Sequence, residues 1–204
     1  MASTLAEGAR SLVTAHVVLR EATVDDAPLI VHLRNDDPRE TLPKVPGGIP
    51  GQVDYLRRYW AEPSRRRDEA YYVIVDRETS GAVGTVRHTA LRDPCRMGWE
   101  SLIVKPGTRP LVGIDVMFTT YRYCFESLGR PLLGPWRVFR RNTAMLRAHR
   151  HMRLARVIAD DPASDVVWLA VTRAAYDEHS SRWASMGLGR EAEPWPLVDG
   201  GGVS

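Results

Sequence analysis

Cysteine is nearly absent from this chain of 204 residues: Cys95 and Cys124 are the two it has. Two thiols so far apart make no disulfide framework, and no Cys/His cluster has the spacing of a zinc site. Both are therefore expected to be reduced and structural, with no metal bound. Long apolar runs are missing as well. No stretch approaches the roughly 20 residues that cross a bilayer, and Met1 to Ala15 lacks a basic start followed by an apolar block. The expectation is a soluble, cytoplasmic protein with no membrane partner. Convincing internal repeats are absent, and so is a G-x-S-x-G elbow, which argues against a serine nucleophile. Overall charge is modest, at a formal +3, but Trp136 to Arg156 holds seven Arg and no Asp or Glu. That local basic surface fits either a phosphate-bearing partner or a solvated helix face.

What is present fits one domain with a real core. Residues 16–189 are expected to form it, with residues 1–15 as an N-terminal extension and residues 190–204, rich in Pro and Gly, as a flexible tail. His16 to Arg20 alternates as a first strand. Thr23 and Asp26 then form a capping-box-like helix start, and Leu29, Ile30 and Leu33 give that helix an apolar face. Asp36 to Gly51 reads as a loop. Val53, Leu56 and Trp60 mark a second helix ending before Pro63, and Ser64 to Asp68 a basic turn. Ala70 to Val75 and Gly81 to Leu91 form a hairpin, and Gly98 to Val104 is the next strand. Ile114, Phe118, Tyr121, Phe125 and Leu128 recur at steps of four and three along a long helix with Gly129 at its C-cap. Leu132 to Phe139 is a strand, Asn142 to Met152 a short helix, Val166 to Val171 a late strand and Ala174 to Trp183 a terminal helix. Strands and helices alternating in this order specify a three-layer α/β domain.

The informative stretch is Trp99 to Arg153. Trp99, Ile103, Lys105, Pro106, Gly107 and Pro110 precede the long helix, and Asn142 is followed seven residues later by His149. In that order these residues resemble the GNAT superfamily, the acyl-CoA-dependent N-acetyltransferases, from about Val17 to Trp183, with a subgroup of amino-sugar acetyltransferases closest in pattern. The resemblance implies a mixed sheet, splayed at its centre and flanked by helices. It implies acetyl-CoA, or another acyl-CoA, as co-substrate, held by Ile103 and Val104 on the strand and by Arg109, Leu111, Val112 and Gly113 on the turn that follows. Asn142 would bind the pantetheine arm, and the loop Asp36 to Gly51 would help build the acceptor pocket.

Physical chemistry gives each position a second reading. The superfamily turn R/Q-x-x-G-x-G/A brings phosphate against backbone amides at a helix start. Here Val112 and Ile114 stand where glycines are expected, so the site is either an altered cradle or a plain helix N-terminus with Pro110 in its first turn. Asn142 serves equally as an N-cap. An imidazole at His149, with an ordinary pKa of about 6.5, could return a proton to a departing thiolate or be structural. Glu100 is the first candidate for the base, although the resembling subgroup carries a small residue there, and His88 is the second. Trp99 would wall the acceptor pocket or simply fill the core. Arg153 stands where a Gly usually ends the helix, so that turn should close differently.

The reading is therefore direct attack of an amine on a thioester, with a small-molecule acceptor: an amino sugar, a nucleotide-linked amino sugar or a natural-product amine. The alternatives are a protein N-acetyltransferase and a GNAT-like binding or scaffold protein that has lost CoA. Nucleic-acid binding is weaker, because only Trp136 and Phe139 interleave the arginines. A homodimer is left open.

Overall fold

Eight strands and six helices alternate along residues 11–38 and 40–189, the part of the chain that the structure, a computed structural model, describes. The first strand comes earlier than the sequence predicts. Ser11–Val13 (β1), inside the stretch expected as an extension, pairs antiparallel with Val17–Glu21 (β2). Residues 1–10 and the expected tail 190–204 lie outside the described residues. The Thr23 and Asp26 box is present, the Asp26 carboxylate accepting from the Thr23 amide at 2.8 Å. It opens a 3-10 turn, Val24–Asp26, that leads into Ala27–Asn35 (α1).

Gly48–Ala61 (α2) starts inside the expected loop. Pro50 is tolerated there because an amide in the first helical turn has no intrahelical partner to lose. Pro63–Asp68 (α3) is a short helix where a turn was expected, again with Pro in its first turn. Ala70–Asp76 (β3), Gly81–Thr89 (β4) and Gly98–Val104 (β5) complete an antiparallel sheet in the order β1-β2-β3-β4-β5. Successive residues of a strand face opposite sides, and both sides of β3 are buried. Tyr72 and Ile74 join the main core, while Tyr71 and Val73 join a second core with Ile30, Leu56 and Tyr59 under α1 and α2. That double burial makes the molecule three-layered.

Pro110–Arg122 (α4) packs on the other face and continues into a π-helical turn, Tyr123–Ser127, with the Leu128 amide bonded to the Tyr123 carbonyl at 2.9 Å. Its buried face is wider than the predicted stripe. Phe118, Tyr121 and Phe125 are in the core, together with Val112, Val116 and Met117, whereas Ile114 and Leu128 are only partly buried. Asp115, also buried, accepts from Thr14 Oγ1 and, at 2.6 Å, from the Gly189 amide. The helix thus ties both ends of the described domain together.

The second half is a smaller sheet. Leu132–Phe139 (β6), Arg156–Asp161 (β7) and Val166–Thr172 (β8) pair antiparallel in the order β6-β8-β7, with Thr143–Met152 (α5) and Arg173–Ala184 (α6) connecting and covering them. β7 escaped the sequence because all its residues are exposed, so no alternation marks it. Arg153 closes α5 with φ 58° and its amide on the His149 carbonyl at 3.1 Å. The turn therefore closes as a glycine would close it, contrary to expectation, with an arginine bearing the left-handed backbone.

The two sheets meet where β5 and β6 run parallel, and there they separate. One bridge, Met97 to Leu133, joins them, with the Gly134 amide on the Met97 carbonyl at 2.7 Å. Beyond it the strands diverge as facing edges of different sheets, the splay that the family resemblance implies. Each is bulged at this point. Ser101 and Leu102 of β5 stand opposite Val86, with Ser101 at φ 55°, and the β6–β8 register shifts between Leu133 and Trp136. At Gly134, with φ 111°, a Cβ would approach the Leu169 carbonyl oxygen to 3.0 Å, so only glycine fits the bend.

Candidate active site

The mouth of the splay is a cleft of about 730 Å³. Its walls come from the α1–α2 connection, from α2, from β3, β4 and β5, and from β6, α5 and β8. The α1–α2 connection contributes Thr41, Leu42, Pro43, Val45 and Pro46. Because side chains alternate across a strand, adjacent residues of β4 and β5 divide between two faces. Arg87 and Glu100, cross-strand partners, line the cleft. His88, the next residue of β4, turns toward Thr120 of α4, and its partner Trp99 stands at the junction with β6.

The Glu100 carboxylate, half exposed, accepts a short hydrogen bond from Arg87 Nη2. Arg87 Nη1 reaches the Tyr55 hydroxyl at 3.1 Å, and Arg65 Nη2 reaches the same oxygen at 2.9 Å. Burial disfavours the Arg87 charge, but the Glu100 hydrogen bond, with Tyr55 and Glu69 nearby, outweighs it and raises the guanidinium above its ordinary value. Gln52 of α2, which the sequence reading passed over, also lines the cleft. It is 3 % exposed and its Nε2 is buried with no hydrogen-bond partner. A buried amide donor left unpaired costs roughly 1–3 kcal/mol, which marks Gln52 as a group that a ligand would satisfy. No sequence pattern could have found it.

His88 is not at the cleft. Its ring is fully buried between Tyr72 and Tyr123, and Nε2 lies 3.0 Å from Thr120 Oγ1. Thr120 Oγ1 already donates to the Val116 carbonyl, so it accepts from His88 Nε2–H. Burial pushes this imidazole down to about 3. A neutral histidine buried away from the cleft is not placed to take a proton from an acceptor there, contrary to its candidacy as a base.

His149 sits at the closed end of the splay. Trp99 of β5 stacks on Trp136 of β6 with ring centroids 5.2 Å apart, and the His149 ring lies 5.7 and 5.3 Å from them. Trp99 is buried in the core and also lines the cleft. His149 Nδ1 meets the Tyr121 hydroxyl at 3.1 Å, while Nε2 is buried and unpartnered. Burial pushes His149 down to about 3 and raises the Tyr121 phenol well above its ordinary value. At neutral pH the pair is therefore uncharged, and the near-neutral imidazole assumed from sequence is not what the fold provides.

Asn142 caps α5, its Oδ1 accepting from the Met145 amide at 3.2 Å, and it also lines the cleft. Its Nδ2 makes no hydrogen bond among the described residues. Ile103 is buried, and Val104, the last residue of β5, pairs with Gly84 of β4. Leu111, Val112 and Gly113 form the first turn of α4, and a Cβ on Gly113 would meet nothing within 4 Å. Arg109 behaves otherwise than the sequence implies. Its guanidinium grips Asp76 at 2.6 Å and also pairs with Glu78, at the outer corner of the β3–β4 turn. Burial works against the Asp76 charge, but Arg109 and the Glu78 amide hold its carboxyl below the usual range. The helix start keeps its amides, and its nearest cation is already neutralised.

An acyl-CoA needs strand edges for its amide-bearing arm, amides for its pyrophosphate and a polar group near its sulfur. Among the described residues, the groups that could answer those needs are the facing edges of β5 and β6, the first turn of α4 and the orphaned Nε2 of His149. Among the described residues no group of His, Cys, Asp and Glu could hold a metal ion, and no helix is long and apolar enough to cross a membrane.

No protein-family model and no curated protein sequence matches the chain. Solved structures do. The chain is similar to FdhC, a nucleotide-linked sugar GNAT, with 23 % identity over 87 % of this chain and 98 % of that one and a TM-score of 0.72. A GCN5-related N-acetyltransferase from Brucella melitensis superimposes with 14 % identity over 86 % and 84 % and a TM-score of 0.64. The spermidine/spermine N-acetyltransferase SpeG from Vibrio cholerae does so with 13 % identity over 80 % and 98 % and a TM-score of 0.58. The fold is that of the GNAT acetyltransferases.

Proposed function

We propose that the chain is an acyl-CoA-dependent N-acyltransferase, acetyl being the default group, and that its acceptor is a small-molecule amine. The observation that carries this reading is the junction of β5 and β6, where, among the described residues, two strand edges diverge from one bridge beside the cleft, with Trp99 and Trp136 stacked across the junction and the ring of His149, its Nε2 orphaned, packed against both. Glu100, open to the cleft, takes the proton of the acceptor ammonium directly or through water, and Arg87 orients it. Gln52 offers its unpaired Nε2 to a polar oxygen of the acceptor. The attacking nitrogen then releases the proton that the leaving sulfur requires.

His149 acts as a hydrogen-bond donor rather than as an imidazolium. With the Tyr121 hydroxyl donating to Nδ1, the ring carries its proton on Nε2, aimed at the developing thiolate. A preorganised donor in a dry site is worth roughly 10²–10³ in rate. The α4 amides take the pyrophosphate role and Asn142 Nδ2 an oxygen of the pantetheine arm. The likeness to FdhC, described as acting on a nucleotide-linked sugar, supports an amino sugar, free or nucleotide-linked, as acceptor.

One observation favours a second reading. The engagement of Arg109 with Asp76 and Glu78 removes a cation from the pyrophosphate turn, as expected of a GNAT-like binding protein without CoA catalysis. Thermal shift with acetyl-CoA and, separately, with a polynucleotide decides between them, because a ligand of the native state alone raises the melting temperature. A shift with acetyl-CoA only supports the transferase. No shift with acetyl-CoA supports the scaffold.

A further inference from the structure

The acceptor cleft is larger than a monosaccharide amine needs. Pockets of about 300–1,000 Å³ enclose drug-sized ligands, and the cleft continues from Glu100 across the splay onto the exposed face of β6 and β8. There Arg137 and Trp168 are cross-strand partners, so their side chains share one face. Trp168 is 36 % exposed, on a strand whose other large apolar residues are buried. An indole kept at a cleft wall rather than in the core is a stacking surface for a planar ring.

The neighbouring arginines are already engaged. Arg140 pairs with Asp160, and Arg141 donates to the Glu40 carbonyl at 3.0 Å and lies 3.6 Å from Asp165. Arg137 makes no hydrogen bond or ion pair among the described residues, although it lines the cleft. A guanidinium presented without a counter-charge beside an exposed indole matches a ligand with a planar base next to a diphosphate: the base stacks on the indole, and the fork takes two oxygens of one phosphate.

We propose that Arg137 and Trp168 form a nucleoside-diphosphate subsite at the outer end of the acceptor cleft, so that the acceptor is a nucleotide-linked amine whose reacting nitrogen lies toward Glu100. This rests on the acyltransferase reading and narrows it to one acceptor class.

The test is calorimetric titration of the full chain with uridine diphosphate and with inorganic pyrophosphate, both in saturating CoA so that the CoA site is not the one measured. Uridine diphosphate is expected to bind. Arg137→Ala should weaken both ligands by roughly 10-fold or more, the loss of a charge-assisted pair. Trp168→Ala should weaken uridine diphosphate by roughly 10-fold and leave pyrophosphate unchanged, with Trp168→Phe retaining most of the affinity. Both residues are surface groups, and unchanged CoA affinity in each variant confirms a native fold. Absence of uridine diphosphate binding, or binding indifferent to both substitutions, overturns the subsite while CoA binding leaves the transferase standing. If CoA fails to bind, the titration is repeated without it. Uridine diphosphate binding that depends on Arg137 and Trp168 would then keep the subsite while the transferase falls.

Discussion

Two histidines in this chain have exchanged their ordinary chemistry for burial. His88 and His149 are both pushed down to about 3, so the unfolded chain binds protons between that value and about 6.5 that the native chain excludes. Stability rises with pH where the unfolded state binds more protons. The native state should therefore lose about 1.4 kcal/mol per pH unit for each histidine on acidification below about pH 6. Urea unfolding at pH 7, 6 and 5 measures that slope, and His88→Gln should remove about half of it. For His149 the same burial makes a kinetic prediction. His149→Phe should lower turnover by roughly 10²–10³-fold with little change in acetyl-CoA affinity, and the parental pH profile should carry no inflection near 6.5 from this ring. Full turnover in the variant would return His149 to a core role.

At the scale of elements, the transferase reading puts the grip on the co-substrate at the start of α4 and the start of α5, and each can be separated from its structural duty. Gly113→Ala places a methyl in open space and gains up to about 1 kcal/mol of helix propensity. The melting temperature should hold or rise while acetyl-CoA affinity falls, if the amides there face the pyrophosphate. Asn142 needs two variants because its Oδ1 is the cap. Asn142→Asp keeps the acceptor and loses the Nδ2 donor, so it should weaken CoA binding at constant stability. Asn142→Ala should add a stability loss of about 1 kcal/mol. The left-handed close of α5 offers a further check: Arg153→Gly should stabilise by about 0.5–1 kcal/mol in thermal unfolding.

Most of these elements were legible before the structure, and for identifiable reasons. The hairpin β3–β4, the strands flanking α4 and the Thr23 and Asp26 box all rest on local patterns of apolar spacing, turn residues and caps. What escaped depends on partners distant in sequence. β7 has no apolar face and exists through β8, β1 exists through β2, and α2 begins early on a glycine and a proline that read as loop. Site residues divide in the same way. Glu100, Asn142 and Trp99 line one cleft. The diversion of Arg109 to Asp76, the turn of His88 away from the cleft and the orphaned amide of Gln52 each depend on a contact across the fold.

Among the described residues the molecule is two antiparallel sheets joined by one bridge, with bulges at Ser101 and Gly134 where they diverge. The transferase reading depends on that opening accepting an acyl-CoA. Calorimetric titration of the full chain with acetyl-CoA examines it without knowledge of the acceptor. Saturable one-to-one binding is predicted, weakened by Gly113→Ala and by Asn142→Asp and little changed by His149→Phe. No heat of binding at millimolar acetyl-CoA would contradict the transferase and leave a GNAT-like fold in use for something else.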